Sequence, residues 1–328
     1  MADQRDGGIA WTEATWNPIR GCTRVSEGCR NCYAEGVASR FSDAGLPYEG
    51  LAKRTPAGPR WTGNLAVIDE HMADPLRWTR PRRIFVNSMS DLFHERLSDA
   101  QIARVFAVMY LAHQHTFQVL TKRAERMRRT LTSPGFYRLV LDHANAFRQD
   151  FPRKGLLSVA ISDPTKFPHR NVWLGVSIED QDAADARIPE LLETPAAVRF
   201  LSCEPLLEAV DLDRAVAVPR GEPCGLKCAK ERGAGIDWVI IGGESGARAR
   251  PFELDWAREL VRQCRAAGAA PFVKQLGTAA SDPRNGLAGA GLKVHPDAAA
   301  LIARRLVDRS GSDMSEWPDE LRVREFPR

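Results

Sequence analysis

Residues 20–35 read RGCTRVSEGCRNCYAE and set Cys22, Cys29 and Cys32 in a Cys-x6-Cys-x2-Cys array. Cys29 and Cys32 are spaced to converge from a single turn, and the six-residue gap containing Gly28 lets Cys22 fold back towards them. Cysteine thiolates are preferred ligands of zinc and of iron-sulfur clusters. A structural zinc takes four protein ligands, and the next histidine, His71, lies 39 positions beyond Cys32. A four-iron cluster held by three cysteines instead has one iron open to a substrate or cofactor. Of the remaining cysteines, Cys224 and Cys228 form a Cys-x3-Cys pair in a loop rich in glycine and proline, and Cys203 ends a strand-like run, so a second metal site there stays open. Cys264 falls in a helical stretch and is expected to pack as a small apolar residue.

These thiols need a scaffold, and the sequence specifies its type. Apolar, β-prone runs recur at Ile84–Asn87, Phe117–Thr121, Val172–Ser177, Val198–Ser202, Trp238–Gly242 and Phe272–Gln275, after a first strand expected at Trp16–Arg20. They are continuous rather than alternating, as suits parallel strands buried on both faces. Between them lie helical patterns. Asp99–His113 puts Ile102, Val105, Phe106, Met109 and Tyr110 on one face behind a Ser98 or Asp99 cap, and Leu254–Ala267 stops at Gly268. About seven strands alternating with helices predict an α/β fold with a parallel (β/α) barrel or partial barrel, TIM-like, as a single main domain; a doubly wound sheet is the alternative. The expected division is a main domain over 1–277, with the cysteine loop at 20–35, and a C-terminal extension over 278–328 that carries one amphipathic helix around Asp297–Val307. Gly45–Gly63, Phe151–Arg170 and Pro219–Gly235 read as irregular excursions.

In such folds chemistry gathers at the carboxyl ends of the strands. That rule selects Asn87, Ser88, Ser90 and Asp91, then Thr121 and Lys122, Ser177 and Glu179, Ser202 and Glu204, Gly243 with Glu244 and Ser245, and Lys274 with Gln275. A carboxylate at the edge of a buried strand is costly unless paired, solvated or used. Pairing with Lys122, Lys274 or Arg248 is the structural explanation for any one of them.

Three closely spaced cysteines on the loop after the first strand of an incomplete (β/α) barrel resemble the radical S-adenosylmethionine superfamily. The resemblance implies a [4Fe-4S] cluster held by Cys22, Cys29 and Cys32, with S-adenosyl-L-methionine chelated at the open iron. It also implies a reductant supplying one electron and a 5′-deoxyadenosyl radical that takes hydrogen from the substrate. The usual spacing there is Cys-x3-Cys-x2-Cys with an aromatic residue before the last cysteine. This chain has a six-residue first gap, Asn31 before Cys32 and Tyr33 after it. By strand order the resemblance puts Ser90 and Asp91 where the methionine amino group is held, and Ser177 and Glu179 where the ribose is contacted. Gly242-Gly243-Glu244 resembles the Gly-Gly-Glu motif of those enzymes, but follows about the sixth strand rather than the second. Over residues 9–277 the chain is similar to a phage and bacterial family of uncharacterised three-cysteine-motif proteins, on WNPIRGC, GCRNCYAE, FVNSMSDLFHE, QVLTKRAERM, VWLGVSIED, FLSCEPLL, VIIGGESG and FVKQLG.

The chain's 328 residues are 44% hydrophobic and 27% charged, which disfavours disordered, collagen-like and membrane classes. Its first residues, MADQRDGGIAWTE, lack the basic start and apolar stretch of a signal peptide, so a cytoplasmic location is expected. Lysine plus arginine exceed aspartate plus glutamate by 46 − 42 = 4, so any nucleic-acid argument rests on clustering. Two clusters exist: Arg77, Arg80, Arg82 and Arg83 with Trp61 and Trp78 nearby, and Lys122, Arg123, Arg126, Arg128 and Arg129. Arginines among stacking aromatics suit single-stranded nucleic acid, and a solvated helix face is the plainer reading of the second cluster. The expected function is a radical S-adenosylmethionine enzyme that modifies or repairs a nucleotide or nucleic acid. The alternative is a zinc-stabilised nucleic-acid-binding protein without catalysis.

Overall fold

Pro18 divides the run expected as the first strand. It has no N–H to give a ladder, so β1 stops at Ala14–Trp16. Ile19–Arg20 turns away to pair antiparallel with Ala66–Val67, while the Pro18 carbonyl accepts from Ile68. The structure, a computed structural model, describes residues 9–151, 170–216, 225–231, 233, 235–282, 284, 286–289, 291 and 304–327.

Six further strands follow where the apolar runs predict them: β2 Arg83–Val86, β3 Thr116–Thr121, β4 Val172–Ser177, β5 Val198–Cys203, β6 Trp238–Gly242 and β7 Ala270–Gln275. They form one seven-stranded sheet in sequential order from β1 to β7, parallel in the β1–β2, β2–β3, β5–β6 and β6–β7 pairings. This is the parallel α/β class, in the strand order of a partial (β/α) barrel. All five residues of β6 are buried, as an unbroken apolar strand covered on both faces must be.

By contact density the chain divides into two units. The first comprises Met1–Val25, Cys32–Gly175 and Glu193–Ala197, the second Ser26–Asn31, Val176–Leu192 and Val198–Arg328. In the first, α1 Tyr33–Arg40 follows the last cysteine of the loop. Helix α2 Asp99–Leu111 begins with a reciprocal capping box between Ser98 and Gln101, a device that adds roughly 1 kcal/mol. It buries Ile102, Val105, Phe106 and Met109 and packs on α4 Phe136–Asp150, with Phe106 edge-on to Phe136 at 5.5 Å. Between them α3 Ala124–Leu131 follows β3 directly. Gly45–Gly63, expected to be irregular, contains a hairpin of Ala52–Thr55 with Gly58–Trp61.

In the second unit α5 Gln181–Glu193 follows β4 and α6 Leu254–Ala267 ends, as expected, at Gly268, whose φ of 70° is the left-handed helix stop. The described residues after Gly277 join this unit. Ala280–Asp282 lies parallel to Phe252–Glu253 and antiparallel to Leu287–Ala288, which pairs with Arg304–Arg305. Trp238 donates from its indole to the Glu325 carbonyl at 2.8 Å, and Phe272 bridges Arg324. Of the helix expected around Asp297–Val307, 297–303 lie outside the described residues and Arg304–Arg305 is strand, drawn into extended pairing by Leu287–Ala288. No helix among the described residues is long and apolar enough to cross a membrane.

Candidate metal centre at the cysteine loop

In the first unit, the segment from Asn17 to Arg24 is laced to the loop after β2. The Asn17 amide oxygen accepts from the Ser88 hydroxyl and the Met89 N–H, both at 3.1 Å. Gly21 bridges Ser90 and donates to the Met89 carbonyl; the Ser90 hydroxyl donates to the Ile19 carbonyl. Ser90 is thereby spent on holding the strand that leads to Cys22.

Asp91 anchors the next layer. One carboxylate oxygen accepts from the Thr121 hydroxyl at 2.7 Å and the Phe93 N–H, the other from the Lys122 N–H and Arg123 Nη1. Arg123 also donates to Thr23 Oγ1 at 2.7 Å and Glu95 at 2.8 Å, and its Nη1 stands 3.9 Å from Cys22 Sγ. Burial opposes the Arg123 charge, but Asp91, Cys22 and Glu95 together hold it more firmly than an ordinary arginine. Burial also works to raise the Glu95 pKa, yet hydrogen bonds from its own backbone and from Arg123, with the Arg123 charge, bring it to about 2. His94, fully buried, accepts from the Arg96 N–H at Nδ1, which leaves Nε2–H to donate to Thr23 Oγ1 at 2.9 Å. Burial, then the Arg123 charge, pushes His94 below its ordinary value, which favours the neutral ring.

Cys32 is the N-cap residue of α1, beside a small apolar cluster of Ala34, Ala38, Ala52 and Met89. Its helix carries Glu35, buried at 1% exposure and gripped by the Arg24 guanidinium at 2.5–3.2 Å. The Arg123 guanidinium thus stands beside Cys22, and the N-terminus of α1 begins at Cys32.

The second unit holds the middle of the loop. Cys29 ends a short 3-10 turn, Glu27–Cys29, and its N–H reaches the Ser26 carbonyl. Asn31 donates to Glu244 at 3.0 Å and to the Arg248 carbonyl at 2.9 Å. Arg250 grips Glu244 through two nitrogens and donates to the Glu27 carbonyl at 3.0 Å. Burial works to raise the Glu244 pKa; the Arg250 hydrogen bonds, the Asn31 amide and the Arg250 charge outweigh it and leave the carboxyl below its ordinary value. Gly243 has its space filled by protein, since a Cβ there would stand 2.5 Å from the Leu276 carbonyl and 2.9 Å from the Phe252 ring.

The other strand-end carboxylates of this unit are paired too. Glu179, fully buried, meets Arg187, whose Nη1 also donates to the carbonyl of Ser177, itself buried. Glu204 pairs with Lys274. Cys203 and Cys264 are both fully buried; burial lifts the first thiol well above its ordinary value and the second to about 12. Cys228 is disulfide-bonded, and Cys224 lies outside the described residues.

One strand-end residue stands apart. Asn87 closes β2 with a φ of 60°, the single positive value outside glycine among the described residues, and its buried side-chain amide has no hydrogen-bond partner. An unsatisfied buried amide costs about 1–3 kcal/mol, and such outliers gather at functional sites.

The first basic cluster presents Arg82 over the Trp78 ring at 5.2 Å, both beside exposed Arg80. The second is largely committed within the protein: Arg123 as above, Arg126 to Asp99 and Arg128 to Glu193.

Among the described residues no three His, Cys, Asp or Glu groups are arranged to hold a metal ion as they stand. The donor chemistry nonetheless fits thiolate ligation: Cys22, Cys29 and Cys32 are partly exposed and outside any disulfide, unlike the sealed Cys203 and Cys264. Sequence reasoning singled out the cysteines and the acids, named Arg123 only as part of a basic cluster, and missed Arg187 and Arg250; these three arginines hold Asp91, Glu179 and Glu244. Asn31, noted only as a departure from the usual aromatic, is the residue that Glu244 grasps.

A family model described as a protein of unknown function (DUF5131) matches residues 6–314. No curated protein and no solved structure matches the chain.

Proposed function

The chain belongs to the DUF5131 family, and from the chemistry of its cysteine loop we propose that it is a radical S-adenosylmethionine enzyme acting on a nucleotide or nucleic acid. One observation carries the reading. Among the described residues, the cysteines outside disulfides separate into two buried thiols and three partly exposed ones, and the exposed three are the closely spaced set after the first strand of a parallel sheet.

Cys22, Cys29 and Cys32 would hold a [4Fe-4S] cluster. Bound there with S-adenosylmethionine and an electron from an external reductant, that group would supply reductive cleavage of the cofactor and hydrogen-atom abstraction from the substrate. The protein's part is positional and electrostatic. Arg123 lowers the cost of a thiolate at Cys22, and Asp91 with Glu95 fixes the guanidinium. Glu244 and Arg250 brace Glu27 and Asn31 on either side of Cys29. Asn87, buried and unsatisfied at the end of β2, is the residue whose amide most needs a bound ligand. The Arg82–Trp78 stack supports a planar anionic substrate such as a nucleotide.

The test is product formation. Anaerobically reconstituted protein with dithionite and S-adenosylmethionine is expected to release 5′-deoxyadenosine and methionine, and Cys22→Ala to release neither while retaining its circular dichroism. Added nucleotide or single-stranded oligonucleotide should raise the yield. Equal yields from the wild type and Cys22→Ala would refute the ligand assignment.

A further inference from the structure

Away from the cysteines, the first unit contains a cavity of about 210 Å³ lined by Thr15, Trp16, Asn17, Arg20, His71 and Asp74. It lies beside β1, the terminal strand of the sheet. Trp16 forms a fixed apolar wall: it is 2% exposed and its indole N–H donates to the His71 carbonyl at 2.8 Å.

The polar groups around that wall are unevenly committed. Asp74 gives one oxygen to His71 Nδ1 at 3.0 Å and the other to Arg77 at 3.1 Å, so its charge is balanced and its acceptors are used. The Asn17 amide oxygen is likewise taken by Ser88 and Met89, which leaves its NH2. Arg20 spends Nη1 on the Pro47 carbonyl and lays its guanidinium over Tyr48 at 5.1 Å, and no acceptor among the described residues takes its Nη2. What remains for an occupant is therefore a guanidinium, an amide NH2, the Thr15 hydroxyl and His71 Nε2. Because Asp74 accepts from Nδ1–H, Nε2 is the ring nitrogen left for a ligand. The inventory is rich in donors, poor in acceptors and has one unbalanced positive charge.

We propose that this cavity binds a small oxyanion, phosphate or carboxylate, held by Arg20 with Asn17, Thr15 and the His71 ring at its rim. The volume falls below the roughly 300–1,000 Å³ of sites for drug-sized ligands, so the occupant is inorganic phosphate or the anionic group of a small metabolite. Asp74 is a positioning residue: it fixes the imidazole and leaves Nε2 for the ligand. The proposal needs no metal at the cysteine loop, of which Arg20 is the first residue.

The test uses the full chain, labelled with 15N-histidine, titrated at constant ionic strength with inorganic phosphate in one arm, acetate in a second and chloride in a third. The His71 ring signals, assigned with His71→Gln, are expected to shift saturably with phosphate, acetate or both, and not with chloride. Saturation by phosphate alone or acetate alone identifies the source of the anion. Arg20→Gln should weaken the response at least tenfold. Since Arg20 also braces Pro47 and Tyr48, Thr15→Val at an exposed position serves as the second variant, with an expected loss of about fivefold, the effect of one hydrogen bond. A response that is linear with all three anions, or unchanged affinity in both variants, overturns the site.

Discussion

Asn31 and Glu244 are two departures from a familiar pattern that account for one another. Asn31 stands where the radical superfamily that the cysteine spacing resembles usually has an aromatic residue, and Glu244 follows the sixth strand where that superfamily has its Gly-Gly-Glu after the second. Their side chains meet at 3.0 Å. Glu244 consequently works on the protein's own loop, and its depressed pKa has a consequence for stability. A carboxyl whose folded pKa lies below the unfolded value of 4.5 adds stability that is complete above that value and is lost as pH falls through the folded one. Acid unfolding of the wild type should therefore steepen below about pH 4.5, and Glu244→Gln should flatten that part of the curve, as measured by chemical denaturation at stepped pH. Identical acid limbs would show that Glu244 is not held by Arg250 and Asn31 in solution. The Asn31 contact could not be read from sequence, because it joins residues 213 positions apart, whereas Arg250 lies six positions from Glu244.

Gly21 sets the geometry of the element that delivers Cys22. Its φ is 94°, and a Cβ would stand 2.2 Å from the Asn64 carbonyl oxygen. Gly36, inside α1, has nothing within 4 Å of the same position. Gly21→Ala should therefore cost about 2 kcal/mol or more, from left-handed strain plus the clash, whereas Gly36→Ala should add about 0.5–1 kcal/mol of helix stability. Thermal melts decide it, and effects of the same sign would contradict this account of the loop. At this scale much was legible. Continuous apolar runs located β2 to β7, and Ser98 and Gly268 marked helix ends as local chemistry predicts. The miss at β1 was also local in origin, since Pro18 breaks a run that hydrophobicity alone would continue. The hairpin of Ala52–Thr55 with Gly58–Trp61 escaped because its polar strands, AKRT and GPRW, carry no apolar signature.

Seven sequential strands of the parallel α/β class were predictable for the molecule as a whole, because burial on both faces writes itself into composition. The partnering of its charges was legible only in part: Lys274 was open to such pairing and does meet Glu204, whereas Arg123, Arg187 and Arg250 were not read as partners of the acids. The acids at the strand ends, Asp91, Glu179, Glu204 and Glu244, each meet a cation supplied from elsewhere in the chain. The fold thus answers the electrostatic question the sequence raised with ion pairs, while leaving three thiols accessible and two sealed. That division makes the cysteine loop the centre of the functional account, and metal analysis is its most direct measurement. After anaerobic reconstitution with iron and sulfide, the account predicts one [4Fe-4S] cluster per chain with iron-dependent visible absorbance, and loss of that absorbance in Cys22→Ala. Stoichiometric zinc without iron-dependent absorbance would contradict it.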